Sequence, residues 1–194
     1  GGYMKILIAC ERSGIVRDAF IKQGHDAVSC DLVGSEVDGP HITADALTLA
    51  QTQRWDMMIA FPPCTHLSVS GARYFAEKRA DGRQQAALQF VRDLMDVAIE
   101  RIAIENPVGI ISTQIRRPDQ IIQPWHFGED ASKKTCLWLK NLPPLMATGI
   151  IKKKRYANQT ASGQNKLGPS PNRAMDRSRT YQGIADAMAS QWSI

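Results

Sequence analysis

The chain has 194 residues and a mass of 21.5 kDa, enough for one domain and too little for two of ordinary size. Its 43% hydrophobic and 22% charged residues exclude a disordered, collagen-like or coiled-coil chain, and no apolar run reaches the ~18 residues of a membrane span. The net charge of +5 is uneven: residues 150 to 179 hold eight basic residues against Asp176 alone, and such a local excess points to a polyanion such as nucleic acid.

Gly1 to Tyr3 read as a cloning remnant ahead of a native Met4. No basic n-region and long apolar h-region follow, so a cytoplasmic protein is expected. Lys5 to Cys10 is a short apolar run with β-branched residues and predicts a buried parallel strand. Glu11 to Gly14 is a turn. Ile15, Val16, Ala19 and Phe20 recur at helical spacing, and Gly24 stops that helix. Asp26 to Asp31 reads as a second strand ending in an acid. Ala46 to Trp55 predicts a short helix, and Asp56 to Phe61 a strand broken by Pro62-Pro63. A helix is expected from Gly82 to Ala98 and a strand from Arg101 to Glu105.

Beyond that point Lys134 to Leu139 predicts a strand, Asn141 to Pro144 a turn, and Gly149 to Ile151 the start of another strand. Ala157 to Asn172 is rich in Ser, Gly, Asn, Gln and Pro and predicts a loop. Residues 150–175 thus read as a basic, flexible insertion. Ile184, Ala187, Met188 and Trp192 predict a last helix over Thr180 to Trp192. Strands alternating with helices mean βαβ units: one α/β domain over 4–194, a doubly wound, mostly parallel, Rossmann-like sheet. Ligands of such sheets bind at the carboxyl ends of the strands. Cys10, Asp31, Asp45, Pro62-Pro63-Cys64 and Glu105-Asn106-Pro107 all fall at or just after those ends.

The four cysteines, at 10, 30, 64 and 136, have no C-x-x-C spacing, so neither a zinc cage nor a disulfide framework is expected. Cys10, Cys30 and Cys136 read as packed thiols in or beside strands. Cys64 differs, because two prolines fix the backbone before it and present it in a loop at a strand end. A thiol so placed serves as a nucleophile if its surroundings favour the thiolate. Glu105 ends the next strand, and a partly desolvated carboxyl group there can hold and donate a proton. His25 and His41 read as turn residues. Trp125, Phe127 and Trp138 are candidates for base stacking, although the core is their commoner place.

These stretches together resemble the DNA cytosine-5 methyltransferase family, in particular its short members carried by phages and prophages. The resemblance rests on Ile8 to Gly14 with Asp31, on Ala60 to Thr65 with Ser68 and Gly71, on Ile104 to Pro107, and more weakly on Tyr181 to Ala185. It implies a methyltransferase fold, S-adenosylmethionine as cofactor, DNA as partner and a phage- or prophage-derived protein of a bacterial cytoplasm. By the same resemblance Cys64 attacks carbon 6 of cytosine, Glu105 bonds or protonates ring nitrogen 3, and Asn106 orients the loop. The cofactor would contact Ala9, Cys10, Glu11, Ser13, Gly14 and Pro62, with Asp31 on its ribose and Asp45 near its adenine. Lys152, Lys153, Lys154, Arg155, Arg177 and Arg179 would contact nucleic acid. No metal, no membrane and no obligatory protein partner are implied.

The chain departs from the family in three ways. Its cofactor turn is Ala-Cys-Glu-Arg-Ser-Gly, with a single glycine. The family's arginine pair has no clear counterpart, since Arg116-Arg117 lies early and Arg177-Ser178-Arg179 late. A full target recognition domain does not fit between Pro107 and the last helix, so that domain is reduced or absent. Two alternatives follow: the same chemistry on RNA or a free pyrimidine nucleotide, or a catalytically idle binding protein that interferes with restriction and modification.

Overall fold

A computed structural model describes residues 2–65, 67, 82–164 and 179–193. Seven strands form one sheet: β1 (Lys5–Ala9), β2 (Asp26–Asp31), β3 (His41–Thr43), β4 (Met57–Ala60), β5 (Arg101–Pro107), β6 (Gln120–Ile122) and β7 (Thr135–Lys140). Their order across the sheet is β3-β2-β1-β4-β5-β7-β6. The first five strands are parallel to one another, and β7 runs antiparallel to both its neighbours. The doubly wound, mostly parallel α/β sheet expected from the sequence is therefore the one observed.

The alternation of the strands distributes the core. Ile6 and Ile8 of β1, Met57 and Ile59 of β4 and Ala103 of β5 point to one face. There they meet Val16, Ala19 and Phe20 of α1 (Ile15–Lys22) and Ile184, Met188 and Trp192 of the last helix, α5 (Gln182–Trp192). Leu7, Met58, Ala60, Ile102 and Ile104 point to the other face. They are covered by α2 (Ala46–Thr52), by α3 (Arg83–Asp96) through Leu88, Val91 and Leu94, and by the single turn α4 (Ile111–Gln114). Strands buried on both faces read as continuous apolar runs, and full burial of each Leu, Ile or Val contributes roughly 1.5–3 kcal/mol.

Several boundaries differ from expectation. The helix expected to reach Trp55 ends at Thr52, because the Trp55 indole turns back and donates to Leu49 O at 2.9 Å. The sequence pattern does not predict strands β3 and β6; each has three residues and lies at an edge of the sheet. His41, read as a turn residue, belongs to β3, and its Nδ1 lies 2.8 Å from Ser29 Oγ. Gly149 to Ile151 does not start a strand. Gly149 forms only an isolated bridge with Phe127, since this stretch bonds to the single 3-10 turn Pro124–His126 and its neighbours instead of to the sheet.

Candidate active site at the carboxyl edge of the sheet

The register of the parallel strands sets the site. Ala9 pairs with Cys30 on one side and Ala60 on the other, and Ala60 pairs with Ile104. The residues that follow, Cys10, Asp31, Phe61 and Glu105, therefore lie at one level along the carboxyl edge, although Asp31 and Glu105 still pair with β3 and β7. Two backbone bonds tie these exits, Glu11 N to Cys30 O at 3.0 Å and Phe61 N to Ala9 O at 2.9 Å. Residues far apart in sequence thus share one edge.

At the β1–β2 side the chain turns sharply. Cys10 has φ 60°, a left-handed conformation uncommon for a residue with a side chain. Glu11, 5% exposed, points inward. Its two carboxylate oxygens accept from Val16 N (2.9 Å) and Arg17 N (3.1 Å), and so cap the start of α1. Burial pushes the Glu11 carboxyl up to about 7 against the pull of these bonds and of the Arg17 charge. Ser13 Oγ accepts from Ile15 N, and Gly14 enters the helix with φ 73°. Gly14 has no freedom to change, because a Cβ there would meet the Arg17 guanidinium.

Arg17 is the residue that sequence reasoning missed. It is fully buried. It donates to Asp18 Oδ1, to the hydroxyls of Ser29 and Ser35, and to the carbonyls of Asp38 and Pro40. It thereby fastens the loop after β2 onto α1. The sequence trace is the company it keeps: Gly14, Ser35 and Gly39 are small enough to close around a guanidinium.

Asp31 Oδ1 accepts from Val33 N at 3.0 Å, a turn that holds the carboxylate at the end of β2. Asp45 caps α2, its Oδ2 accepting from Thr48 N and Thr48 Oγ1, each at 2.9 Å. Burial pushes the Cys10 thiol far up, and Cys30, Asp31 and Asp45 add to the effect. Burial and the same two carboxylates push the Cys30 thiol up to about 11. The four side chains are thus neighbours, and both cysteines are uncharged thiols at neutral pH.

At the β4–β5 side, Pro62, Pro63 and Cys64 follow Phe61 in a loop. Asn106, 1% exposed, donates from Nδ2 to Pro62 O at 2.9 Å. Its Oδ1 is buried and has no partner among the described residues. Cys64 O accepts from Leu67 N (3.0 Å) and Leu67 O from Ile110 N (2.8 Å). The cysteine loop is therefore tied to the exit of β5 at two points, and Cys64 itself is half-buried. Ser68 and Gly71, which carry part of the family resemblance, lie outside the described residues.

Glu105 is 8% exposed, and burial raises its carboxyl, with the Lys133 charge opposing. Glu105 pairs with Leu137 and Pro107 with Thr135 in the antiparallel β5–β7 ladder. Lys133, two residues before Thr135, follows the same alternation onto the Glu105 face. Its backbone is fixed by its N–H to Gln123 Oε1 at 2.7 Å. Sequence reasoning missed Lys133, since a lysine at the foot of a strand reads as solvated. Cys136 is buried, as expected of a packed thiol.

The basic residues divide. Lys152, Lys153, Lys154 and Arg155 are all exposed, and Lys153 Nζ pairs with Asp130 Oδ2 at 2.5 Å. Arg179 donates to Glu36 Oε2 from Nη2 (2.9 Å) and Nε (3.2 Å). Glu36 N in turn donates to Arg12 O, so Arg179 sits beside the turn from Glu11 to Gly14. Arg177 lies outside the described residues. Phe127 and Trp138 are core residues, whereas half-buried Trp125 stacks on Tyr156 with ring centroids 5.8 Å apart. Among the described residues no group of three or more His, Cys, Asp or Glu is arranged to hold a metal ion. No helix among them is long and apolar enough to cross a membrane.

No family model and no curated protein matches this chain. Among solved structures it is similar to a protein encoded within a prophage of E. coli and described as a DNA modification methyltransferase. The two share 14% identity with a TM-score of 0.49, over 75% of this chain and 51% of the other. The chain thus spans about half the length of that protein.

Proposed function

We propose that this protein transfers a methyl group to carbon 5 of cytosine in DNA, with Cys64 as nucleophile and Glu105 as its acid partner. The observation that supports this best is the Asn106–Pro62 bond, which joins the loop of Cys64 to the strand end of Glu105. A nucleophile and a buried carboxyl group held on neighbouring strands are what addition to a pyrimidine ring requires.

The β1–β2 side suits S-adenosylmethionine, a cation that carries a ribose and an adenine. Asp31 and Asp45 bring carboxylates to the edge, Ala9, Ser13 and Gly14 are small, and Leu32 and Val33, 74% and 51% exposed, offer apolar surface beside Asp31. Asp31 takes the ribose hydroxyls and Asp45 lies near the adenine. The backbone of Ala9, Cys10 and Ser13, with Gly14 and Pro62, lines the methionine part. Glu11 serves indirectly, by fixing the start of α1. When bound, S-adenosylmethionine supplies the methyl group that carbon 5 takes up.

Cys64 Sγ, as the thiolate, bonds to carbon 6, and the ring electron pair moves toward nitrogen 3. Glu105, whose carboxyl burial raises, donates its proton there and prevents negative charge from building up. Carbon 5 becomes electron-rich. After methylation carbon 5 loses its proton to solvent, the electron pair returns and expels Cys64, and nitrogen 3 gives its proton back to Glu105. The net positive segment from 150 to 179 supplies attraction for the polyanion.

The test is a duplex carrying 5-fluorocytosine, incubated with S-adenosylmethionine and read by mass spectrometry. Wild type should form a covalent adduct, because fluorine cannot leave as a cation, and Cys64→Ala should form none. An adduct in Cys64→Ala, or methyl transfer surviving in it, overturns the reading. Labelled cofactor offered with duplex DNA, single-stranded DNA, RNA and dCMP identifies the acceptor. Cofactor binding without transfer to any of them leaves the idle binding protein.

A further inference from the structure

We infer that residues 152–155 form a preset phosphate-binding turn for a nucleic-acid backbone, in which Lys152, Lys154 and Arg155 meet the phosphates and Lys153 holds the turn in shape. This rests on the nucleic-acid substrate proposed above and divides its basic residues by role. Four successive cations in a Gly- and Ser-rich region read as a solvated run. Their backbone, however, is built into the protein on both sides.

One phenol closes the run. Tyr156 Oη donates to Ile151 O at 2.8 Å and accepts from Lys153 N at 3.4 Å, while Ile151 N donates to Trp125 O at 2.8 Å. The Tyr156 ring, 9% exposed, lies nearly parallel to the Trp125 ring, at 14°. Asp130 fixes the far side, accepting from Lys153 Nζ and, at 3.1 Å, from Ala157 N. Those two bonds hold the Asp130 carboxyl below its ordinary range, so it stays charged. Asn158 then bonds Ser132 twice, accepting from its N–H and donating to its carbonyl, each at 2.9 Å.

The consequence for charge is a split. All four cations are exposed, but Lys153 is paired with Asp130, whereas Lys152, Lys154 and Arg155 make no ion pair with any described residue. A backbone that is already ordered loses little further freedom on binding, so its cations contribute more of their attraction to affinity. The same segment also reaches the reactive edge. Gln123 Oε1 accepts from both Ser132 Oγ and Lys133 N, and Lys133 is the charge that opposes protonation of Glu105. A strand docked on the turn is therefore held in fixed relation to Glu105.

Binding of a short fluorescein-labelled duplex DNA, followed by anisotropy between about 50 and 200 mM salt, tests this. Joint replacement of Lys152, Lys154 and Arg155 by Ala should flatten the log–log salt slope by about 2.7, at about 0.9 for each phosphate that is no longer neutralised. Lys153→Ala should leave the slope within about 0.5 of wild type and weaken binding by the same few-fold factor at every salt. Tyr156→Phe changes no charge but opens the run, and should do the same. The inference is overturned if Lys153→Ala flattens the slope as much as Lys152→Ala. It also falls if the triple variant keeps the wild-type slope, or if Tyr156→Phe binds like wild type. A wild type that binds S-adenosylmethionine by calorimetry but no nucleic acid overturns the turn alone, whereas one that binds neither removes the proposed function as well.

Discussion

The two halves of the carboxyl edge are built differently. At the β1–β2 side, buried polar groups are mostly engaged with one another, Glu36 Oε1 in the loop after β2 being the exception among the described residues. Both Glu11 oxygens cap α1, and Arg17 reaches five partners, three of them in the loop after β2. At the β4–β5 side, Glu105 is buried with its carboxyl raised, and Asn106 Oδ1 has no described partner. An unpaired buried acceptor costs about 1–3 kcal/mol. The first arrangement stabilises a shape; the second keeps hydrogen-bonding capacity for something that arrives. Substitutions should therefore harm the fold on one side and the reaction on the other.

The largest effect is expected at Glu105. Glu105→Gln removes the proton donor and should cut methyl transfer by about 10²–10⁴-fold, while calorimetry shows S-adenosylmethionine binding unchanged. A loss of folding in this variant would erase the contrast between the two sides. Next comes Arg17→Met. It keeps apolar volume but strips a partner from the buried Ser29 hydroxyl, the half-buried Ser35 hydroxyl and two carbonyls, and should lower stability by about 3 kcal/mol in urea unfolding. Near-native stability would mean that the loop after β2 does not depend on that guanidinium.

Glu11 gives a pH signature. Its folded pKa of about 7 lies above the ordinary 4.5, so between those values the folded state binds more protons than the unfolded state. Stability is then full below about pH 4.5, falls as pH rises toward 7, and stays level above. The fall should be about 3 kcal/mol, and Glu11→Gln should abolish it. An equally steep fall in that variant would assign the slope to other groups. Asp31→Ala should weaken S-adenosylmethionine binding by about 1–2 kcal/mol, the loss of hydrogen bonds to a charged group. Wild-type affinity would remove Asp31 from the ribose.

The smallest effect belongs to Arg179. Its pairing with Glu36 is partly exposed, at 43% and 16% of the two side chains, and is worth under about 1 kcal/mol. Arg179→Ala should weaken cofactor binding two- to five-fold, roughly that range, and leave the salt slope of DNA binding as it was. A flattened slope with unchanged cofactor binding would return Arg179 to the nucleic-acid contacts.

The strands that organise the edge were legible because burial on both faces writes β1, β4, β5 and β7 as apolar runs, while β2 sets Ala27, Val28 and Cys30 between two aspartates. Edge strands β3 and β6 carry too few apolar residues for any period to register. Of the site, the sequence marks residue types and strand ends, which is why Cys64, Glu105, Asn106, Asp31 and Asp45 were found at one edge. It does not mark direction. That Glu11 points inward to cap a helix depends on where α1 begins. That Arg17 is buried depends on small residues up to 23 positions away. Charge was legible as a block, but its partition was not: Lys153 meets Asp130 across 23 residues and Arg179 meets Glu36 across 143.

The antiparallel course of β7 has one more consequence. Pro107 and Thr135 face each other across the β5–β7 ladder, so the chain leaves the sheet and re-enters it at the same spot. The connection from 108 to 134 therefore has its ends already closed, but it is not free: β6 lies within it and pairs with β7, and Ile111, Ile122 and Phe127 are core residues. Lengthening a closed loop costs only about 0.6 kcal/mol for each doubling. Insertions should therefore be tolerated in the short stretch between α4 and β6, where Arg116 and Arg117 are exposed. Exchange of β6 or of Gln123 would instead loosen the sheet edge and the backbone of Lys133.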